Sequence, residues 1–180
     1  MSGETVVTND AAGAVTGVRH LVRDGHRRVD FLDDKPGIYS AGQRKCGFQQ
    51  AVRILALETD SGLLRQGLHV AVVTEEQVLA MLGDRDPPTV LFAANNLITA
   101  GVLRALRRRG AERIGPVGFD DFDLAVVVNP QMTVIVADAE ALGRRATERL
   151  ISRLAGDGGP PQTEVLATLL ILRGSGNVRS

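Results

Sequence analysis

Pro88-Thr89-Val90-Leu91-Phe92-Ala93-Ala94-Asn95-Asn96 is the stretch whose reading decides the fold. Val90 to Ala94 are apolar on successive residues, as in a strand buried on both faces, not in the alternation of a half-exposed one. The chain then enters Asn96–Arg109, where Ile98, Val102, Ala105 and Leu106 recur at helical spacing. Arg104, Arg107 and Arg108 take the polar face and Gly110 supplies the stop. A buried strand followed at once by an amphipathic helix is one βα unit of a parallel sheet.

The same alternation extends in both directions. Short apolar runs occur at 5–8, 29–32, 70–73, 114–119 and 132–136; a strand at 63–65 followed by a loop is the alternative to a strand at 70–73. Helical spacing marks 11–24, 43–57, 74–82 and 139–154, and Thr74-Glu75-Glu76-Gln77 has the form of a capping box. Residues 156–161 break the chain before a last apolar run at 165–172. This predicts an α/β fold with a mostly parallel sheet flanked by helices. Such sheets bind ligands beyond the carboxyl ends of their strands. The loops to search are therefore 33–44, 66–74, 94–97 and 119–124.

Composition removes several classes. Lys plus Arg and Asp plus Glu are 21 each, so there is no net basic charge to neutralise phosphates. The 44% hydrophobic and 23% charged fractions fit a globular chain and exclude a disordered one. One cysteine, Cys46, leaves no internal disulfide and no CxxC motif, which points to a reducing, cytoplasmic compartment. Cys46 falls within the helix at 43–57, where a small buried residue is expected. Residues 1–10 do not read as a secretory signal, and no apolar run approaches the roughly 18–20 residues of a membrane span. One Tyr, five Phe and no Trp offer little stacking surface.

Each candidate site residue has a plain reading beside a functional one. Asn95 and Asn96 open a helix, so one is expected to cap it and the other to face a cleft. Asp120 and Asp121 follow the strand at 114–117. They are either acidic caps, ligand acceptors or an acid–base pair, and no third ligand at useful spacing supports a metal. Arg44, in Tyr39-Ser40-Ala41-Gly42-Gln43-Arg44, is placed in the first turn of a helix, where a cation opposes the dipole. That suggests a fork-like contact to polar groups, against an ordinary exposed arginine. His20, His26 and His69 have no partner pattern and read as surface or packing residues. No G-x-S-x-G, G-x-x-x-x-G-K-[ST] or H-E-x-x-H motif is present.

Several segments, in order, resemble the LacI/GalR family of bacterial transcriptional regulators. Thr8-Asn9-Asp10-Ala11-Ala12-Gly13 with His20-Leu21-Val22-Arg23-Asp24-Gly25-His26-Arg27-Arg28-Val29 resembles D-x-x-G followed by H-L-x-x-x-G-H-R-x-I. Arg44-Lys45-Cys46-Gly47-Phe48 resembles R-x-x-G-F, and Pro88 to Asn96 resembles P-T-A-I-F-A-A-N-D. Val117-Gly118-Phe119-Asp120-Asp121 resembles V-G-F-D-D. Asn129-Pro130-Gln131-Met132-Thr133-Val134 is similar to P-x-L-T-T-V, and Leu142-Gly143-Arg144-Arg145-Ala146 to L-G-x-x-A. Each motif alone is weak; seven in order, from about residue 6 to 175, form a specific pattern. Departures are Asn96 for the usual Asp, Ala137 where Gln is common, and Pro116 within a strand.

The resemblance implies a periplasmic-binding-protein-like fold of type I, with a small effector between two lobes. Residues 1–8 would be the end of the first lobe and a crossing strand, and 9–134 the carboxyl-terminal sensor lobe. Residues 135–180 would be a crossing segment, a first-lobe helix and a return strand. The helix-turn-helix and most of the first lobe have no counterpart here. Arg44, Asn95 and Asp120 match effector-contacting positions, Ser40 a further polar contact, and His69 the place of a stacking aromatic. The function implied is sensing of a sugar or nucleoside-like effector by a homodimeric repressor, transmitted allosterically, with no cofactor, metal or membrane and with DNA contacted only through the absent head. Helices near 75–82 and 97–108 and the segment 126–128 are the expected dimer surface. The stripe Leu142, Ala146, Leu150 and Leu154 is expected to lack its lobe partner. Competing readings are a sugar-binding protein without a DNA role, a non-functional truncated regulator, and an enzyme using Asp120 and Asp121. A gel shift checks the expectation that these 180 residues alone do not bind operator DNA.

Overall fold

The computed structural model describes residues 3–57 and 64–177. Leu63, with which the alternative strand begins, and the outermost residues of the terminal segments lie outside the described residues. The elements are β1 (Thr5–Thr8), α1 (Asp10–Arg23), β2 (Asp30–Leu32), α2 (Tyr39–Ile54), β3 (Leu64–Arg65), α3 (Ala71–Met81) and β4 (Val90–Ala93). They continue with α4 (Asn96–Arg109), β5 (Gly115–Phe119), a 3-10 turn (Asp123–Val126), β6 (Thr133–Ala137), α5 (Ala139–Leu154), β7 (Thr163–Leu166) and β8 (Thr168–Ile171).

Six strands form one sheet in the order β3-β2-β4-β5-β6-β8. Every pair in it is parallel except β6 with β8. β1 and β7 form a separate parallel pair, in register from Thr5↔Thr163 to Thr8↔Leu166. The apolar run at 165–172 is thus divided between two sheets. Phe31, Phe92 and Phe119, one from each of three neighbouring strands, are fully buried and pack ring against ring. This burial from adjacent strands makes the larger sheet the core of the molecule.

Pro116 sits inside β5, a central strand. In a strand the nitrogen and carbonyl of one residue face the same edge. The Pro116 carbonyl accepts from Ser175 Oγ at 2.5 Å, so its nitrogen also faces the edge that Ser175 fills. Pairing with β6 begins only one residue later, at Val117↔Thr133, and no ladder donor is missed. Ser175 Oγ also accepts from Thr133 N at 2.7 Å, and Ser175 O from Thr133 Oγ1 at 2.8 Å. Ser175→Ala leaves a buried amide and carbonyl unpaired, and a loss of about 2 kcal/mol in urea unfolding is expected.

Four local expectations are corrected. Residues 70–73 are not a strand: Val70 is the extended residue before α3, and 71–73 form its first turn. Thr74 therefore lies inside that helix, fully buried, with Oγ1 bonded to the carbonyls of Leu68 and Val70. It is not a cap. α2 begins at Tyr39, four residues before 43, so Arg44 stands in its second turn, past the orphan amides of the first. Cys46 is exposed, because α2 turns Gly47 and Phe48 to the core instead.

α5 spans Ala139–Leu154 and buries none of its residues. Its charged stripe is the one that meets the small sheet. Arg145 and Arg149 reach Glu164 on β7, and Arg153 pairs with Glu4. Leu150 and Leu154 remain 60% and 80% exposed. Among the described residues, no helix is long and apolar enough to cross a membrane.

Candidate functional site

Strands β2 to β5 are parallel, so the residues after them emerge on one edge of the sheet. α2, which follows β2, brings Arg44 across that edge. Its Nη1 donates to the Ala94 carbonyl at 2.5 Å, and Nη1 and Nη2 lie 3.2 and 3.3 Å from the two oxygens of Asp120. The guanidinium carbon is 4.3 Å above the Phe119 ring, and Nε is 3.6 Å from Asp10 Oδ1. Arg44 is 9% exposed and Asp10 2%. A nearly dry cation is thus held by two carboxylates, one carbonyl and one ring face, each offsetting part of its lost hydration. Burial outweighs Arg44 at Asp10 and pushes its carboxyl above the usual range.

Asp120 adopts a left-handed backbone, φ +66, which Asp tolerates better than most residues. Its amide donates to the Ile135 carbonyl at 2.8 Å, tying this turn to β6. The carboxylate is 38% exposed, one side on Arg44 and the other open. Asp121 points elsewhere, to a fork–fork pair with Arg173 at 2.7 and 2.6 Å that holds its carboxyl below the usual range. The two carboxylates are therefore committed to different arginines. Among the described residues, no group of three or more His, Cys, Asp and Glu is placed to hold a metal.

Of the two neighbours, Asn95 is the one that caps α4. It is the extended residue before α4, its Oδ1 accepts from Ile98 N at 2.9 Å, and its Nδ2 donates to Asp34 Oδ2 at 2.7 Å. Asn96 is the exposed first residue of α4. Ser40 lies half-buried in the first turn of α2. His69 is exposed in the loop after β3, with Nδ1 3.1 Å from the Gly67 carbonyl. It stands outside the network of Arg44, Asp120 and Asn95.

Sequence reasoning missed Asp33 and Asp34, although they fall in a loop marked for search. Two carboxylates directly after a buried strand were the available signal. Asp33 is 2% exposed, accepting from Gln66 Nε2 at 3.2 Å and from Asp34 N at 2.9 Å. Burial raises its pKa above the ordinary 3.8, so the folded chain takes up this proton before the unfolded one. The stability this confers is complete below about 3.8 and is lost as pH rises through the raised value. Asp33→Asn drops the charge and keeps one acceptor for the Asp34 amide, while Gln66 can turn its own amide to accept from the new NH2. It is expected to be more stable than the parent at about pH 7, with the gap closing as pH falls toward 4. Urea unfolding at the two pH values checks this.

A six-stranded, mostly parallel sheet flanked by helices, with a polar network at its strand ends and a separate two-stranded pair beside it, is an α/β architecture of the periplasmic-receptor kind. A profile described as "Periplasmic binding protein-like domain" matches residues 18–176, and the chain belongs to that family. Its relatives are LacI-type regulators. HTH-type transcriptional regulator CelR of Thermobifida fusca is 30% identical over 174 residues, covering 93% of this chain and 50% of the relative. The solved transcriptional regulator CelR–cellobiose complex superposes with a TM-score of 0.88 at 26% identity, over 97% of this chain and 54% of that one. The Lac repressor dimer bound to operator and the anti-inducer ONPF gives 0.85 at 25%, over 95% and 52%. The chain spans about half the length of the curated relatives it matches.

Proposed function

We propose that this chain is the ligand-sensing part of a LacI/GalR-like transcriptional repressor, without enzymatic activity and acting in the cytoplasm. The observation that carries the reading is the Arg44–Asp120 pair beside Asn95 at the strand ends, in a fold shared with regulators of this type. The open side of Asp120 and the remaining Asn95 N–H are suited to the hydroxyls of a small neutral effector, a sugar or a nucleoside. In this reading Ser40, in the first turn of α2, and His69, in the loop after β3, line the approach. In this reading 9–134 form the sensor lobe, while β1, α5 and β7 belong to the other lobe. Effector binding shifts the two lobes and, through them, the DNA-binding heads of a dimer.

The test is an NMR titration of the chain with cellobiose, glucose and adenosine. Weak binding is expected, with shifts confined to Ser40, Arg44, His69, Asn95 and Asp120 and abolished by Asn95→Ala. Signals that stay still throughout the series would sink the reading.

The homodimer has its own support. Val70, Val72, Val73 and Leu97 are exposed near the starts of α3 and α4, and so are Leu124, Val126 and Val127 in the segment after β5. A groove of about 640 Å³ runs between α4 and 124–130, floored by Leu103, Val128 and Pro130. Exposed apolar residues beside such a groove are suited to an interface. Val127, 70% exposed, is expected to be central to it: Val127→Asp should leave the fold intact and shift sedimentation from dimer to monomer.

A further inference from the structure

We propose that Asp34 is a positioning and specificity-determining residue of this site, resting on the effector reading above. It holds the Asn95 amide as a fixed donor, and its charge admits a neutral hydroxyl and rejects an anionic group. The orientation of Asn95 is settled by two bonds at once. Oδ1 takes the Ile98 amide at 2.9 Å and Nδ2 gives to Asp34 Oδ2 at 2.7 Å. A flipped amide would set oxygen against carboxylate and NH2 against N–H, losing both bonds. One N–H of Asn95 is left for a ligand. Asp34 receives the Lys35 amide on Oδ1 at 2.6 Å, and each of its oxygens keeps a further lone pair.

The same dipeptide joins two of the site's loops. Asp33 and Asp34 accept through their carbonyls from Leu68 N at 3.1 Å and Gly67 N at 3.2 Å, and Asp33 Oδ2 takes Gln66 Nε2. The loop that carries His69 and the helix start that carries Asn95 are thus fastened to one point at the end of β2.

A donor and a carboxylate acceptor side by side fit one chemical group closely. A hydroxyl accepts from Asn95 and gives its proton to Asp34. A phosphate or carboxylate has no proton to give and meets Asp34 and Asp120 as like charges. An ammonium has only donors and opposes the Asn95 N–H.

Two substitutions separate position from charge. Asp34→Asn removes the charge and keeps one acceptor oxygen, enough for Asn95 once the Lys35 amide is released; Asp34→Ala removes both. In the parent, the Asn95 side-chain amide is expected to exchange with water about tenfold more slowly than that of exposed Asn96. Asp34→Asn should keep that protection and Asp34→Ala should lose it. Unchanged exchange in Asp34→Ala overturns the positioning role. Glucose and glucose 6-phosphate then probe the charge. The parent is expected to favour glucose by about tenfold, and Asp34→Asn to narrow that gap. Equal binding in the parent, or an unaltered gap in Asp34→Asn, overturns the specificity role. If neither sugar moves the Arg44 and Asn95 signals, the effector reading and the specificity role fall together, while the exchange result still decides the positioning role.

Discussion

Arg44→Ala is expected to cost about 3–5 kcal/mol of folding stability and to abolish any effector binding. The loss comes from what the arginine leaves behind. Asp10, 2% exposed, keeps only Thr8 Oγ1 at 3.0 Å as a side-chain partner, and the Ala94 carbonyl loses a donor at 2.5 Å. Asp120 loses both guanidinium contacts, and the face of Phe119 loses its cation. Arg44→Lys should recover only part of this, because an ammonium cannot reach Asp120 through two nitrogens while lying flat on the ring. Asp10 carries a raised pKa, so acid neutralises it early and the deficit of Arg44→Ala should shrink as pH falls. Urea unfolding of the three chains measures all of this. A deficit under about 1 kcal/mol for Arg44→Ala would mean that the pair is a solvent-screened surface bridge.

Gly47→Ala is expected to be the other severe substitution, at about 3 kcal/mol or more. α1 and α2 cross where Gly47 faces the Ala11 carbonyl, and an added Cβ there would overlap that backbone oxygen. Neither group can swing aside as a side chain tip can, so the helices must part. Arg44 lies three residues earlier on the same helix. Displacing α2 should therefore also pull the guanidinium from Asp120, and the Arg44 Nε resonance should move with the urea midpoint. Gly42 is the control within the same helix. A Cβ there meets nothing within 4 Å, so Gly42→Ala should be neutral or stabilising by about 0.5–1 kcal/mol. Similar behaviour of the two alanine variants would refute a packing role for Gly47.

Elements with strong local signals were legible in the sequence. Asn96–Arg109 and Ala139–Leu154 form helices over the ranges their periodicity marks, each with its cap residue in place. Weaker starts slipped. α2 begins at Tyr39 after Ile38, a residue that offers no side-chain cap, so no local residue marks the boundary. Residues 70–73 are β-branched and apolar apart from Ala71, which favours a strand on propensity, yet three of them enter α3 because tertiary packing overrides propensity.

By itself the sequence determined the alternation of buried strands and amphipathic helices, and with it the parallel sheet and the edge on which its loops emerge. Apolar spacing is a local property and survives in one dimension. Only the tertiary structure decided which charges meet. Arg44 and Asp120 are 76 positions apart, and Asn95 and Asp34 are 61. Such pairings depend on strand order, and strand order follows from how the whole core is buried. The same holds for α5: its pattern marks a helix with one apolar stripe, but only the fold shows that arginines hold it to β7 and Glu4 while Leu150 and Leu154 of that stripe face outward.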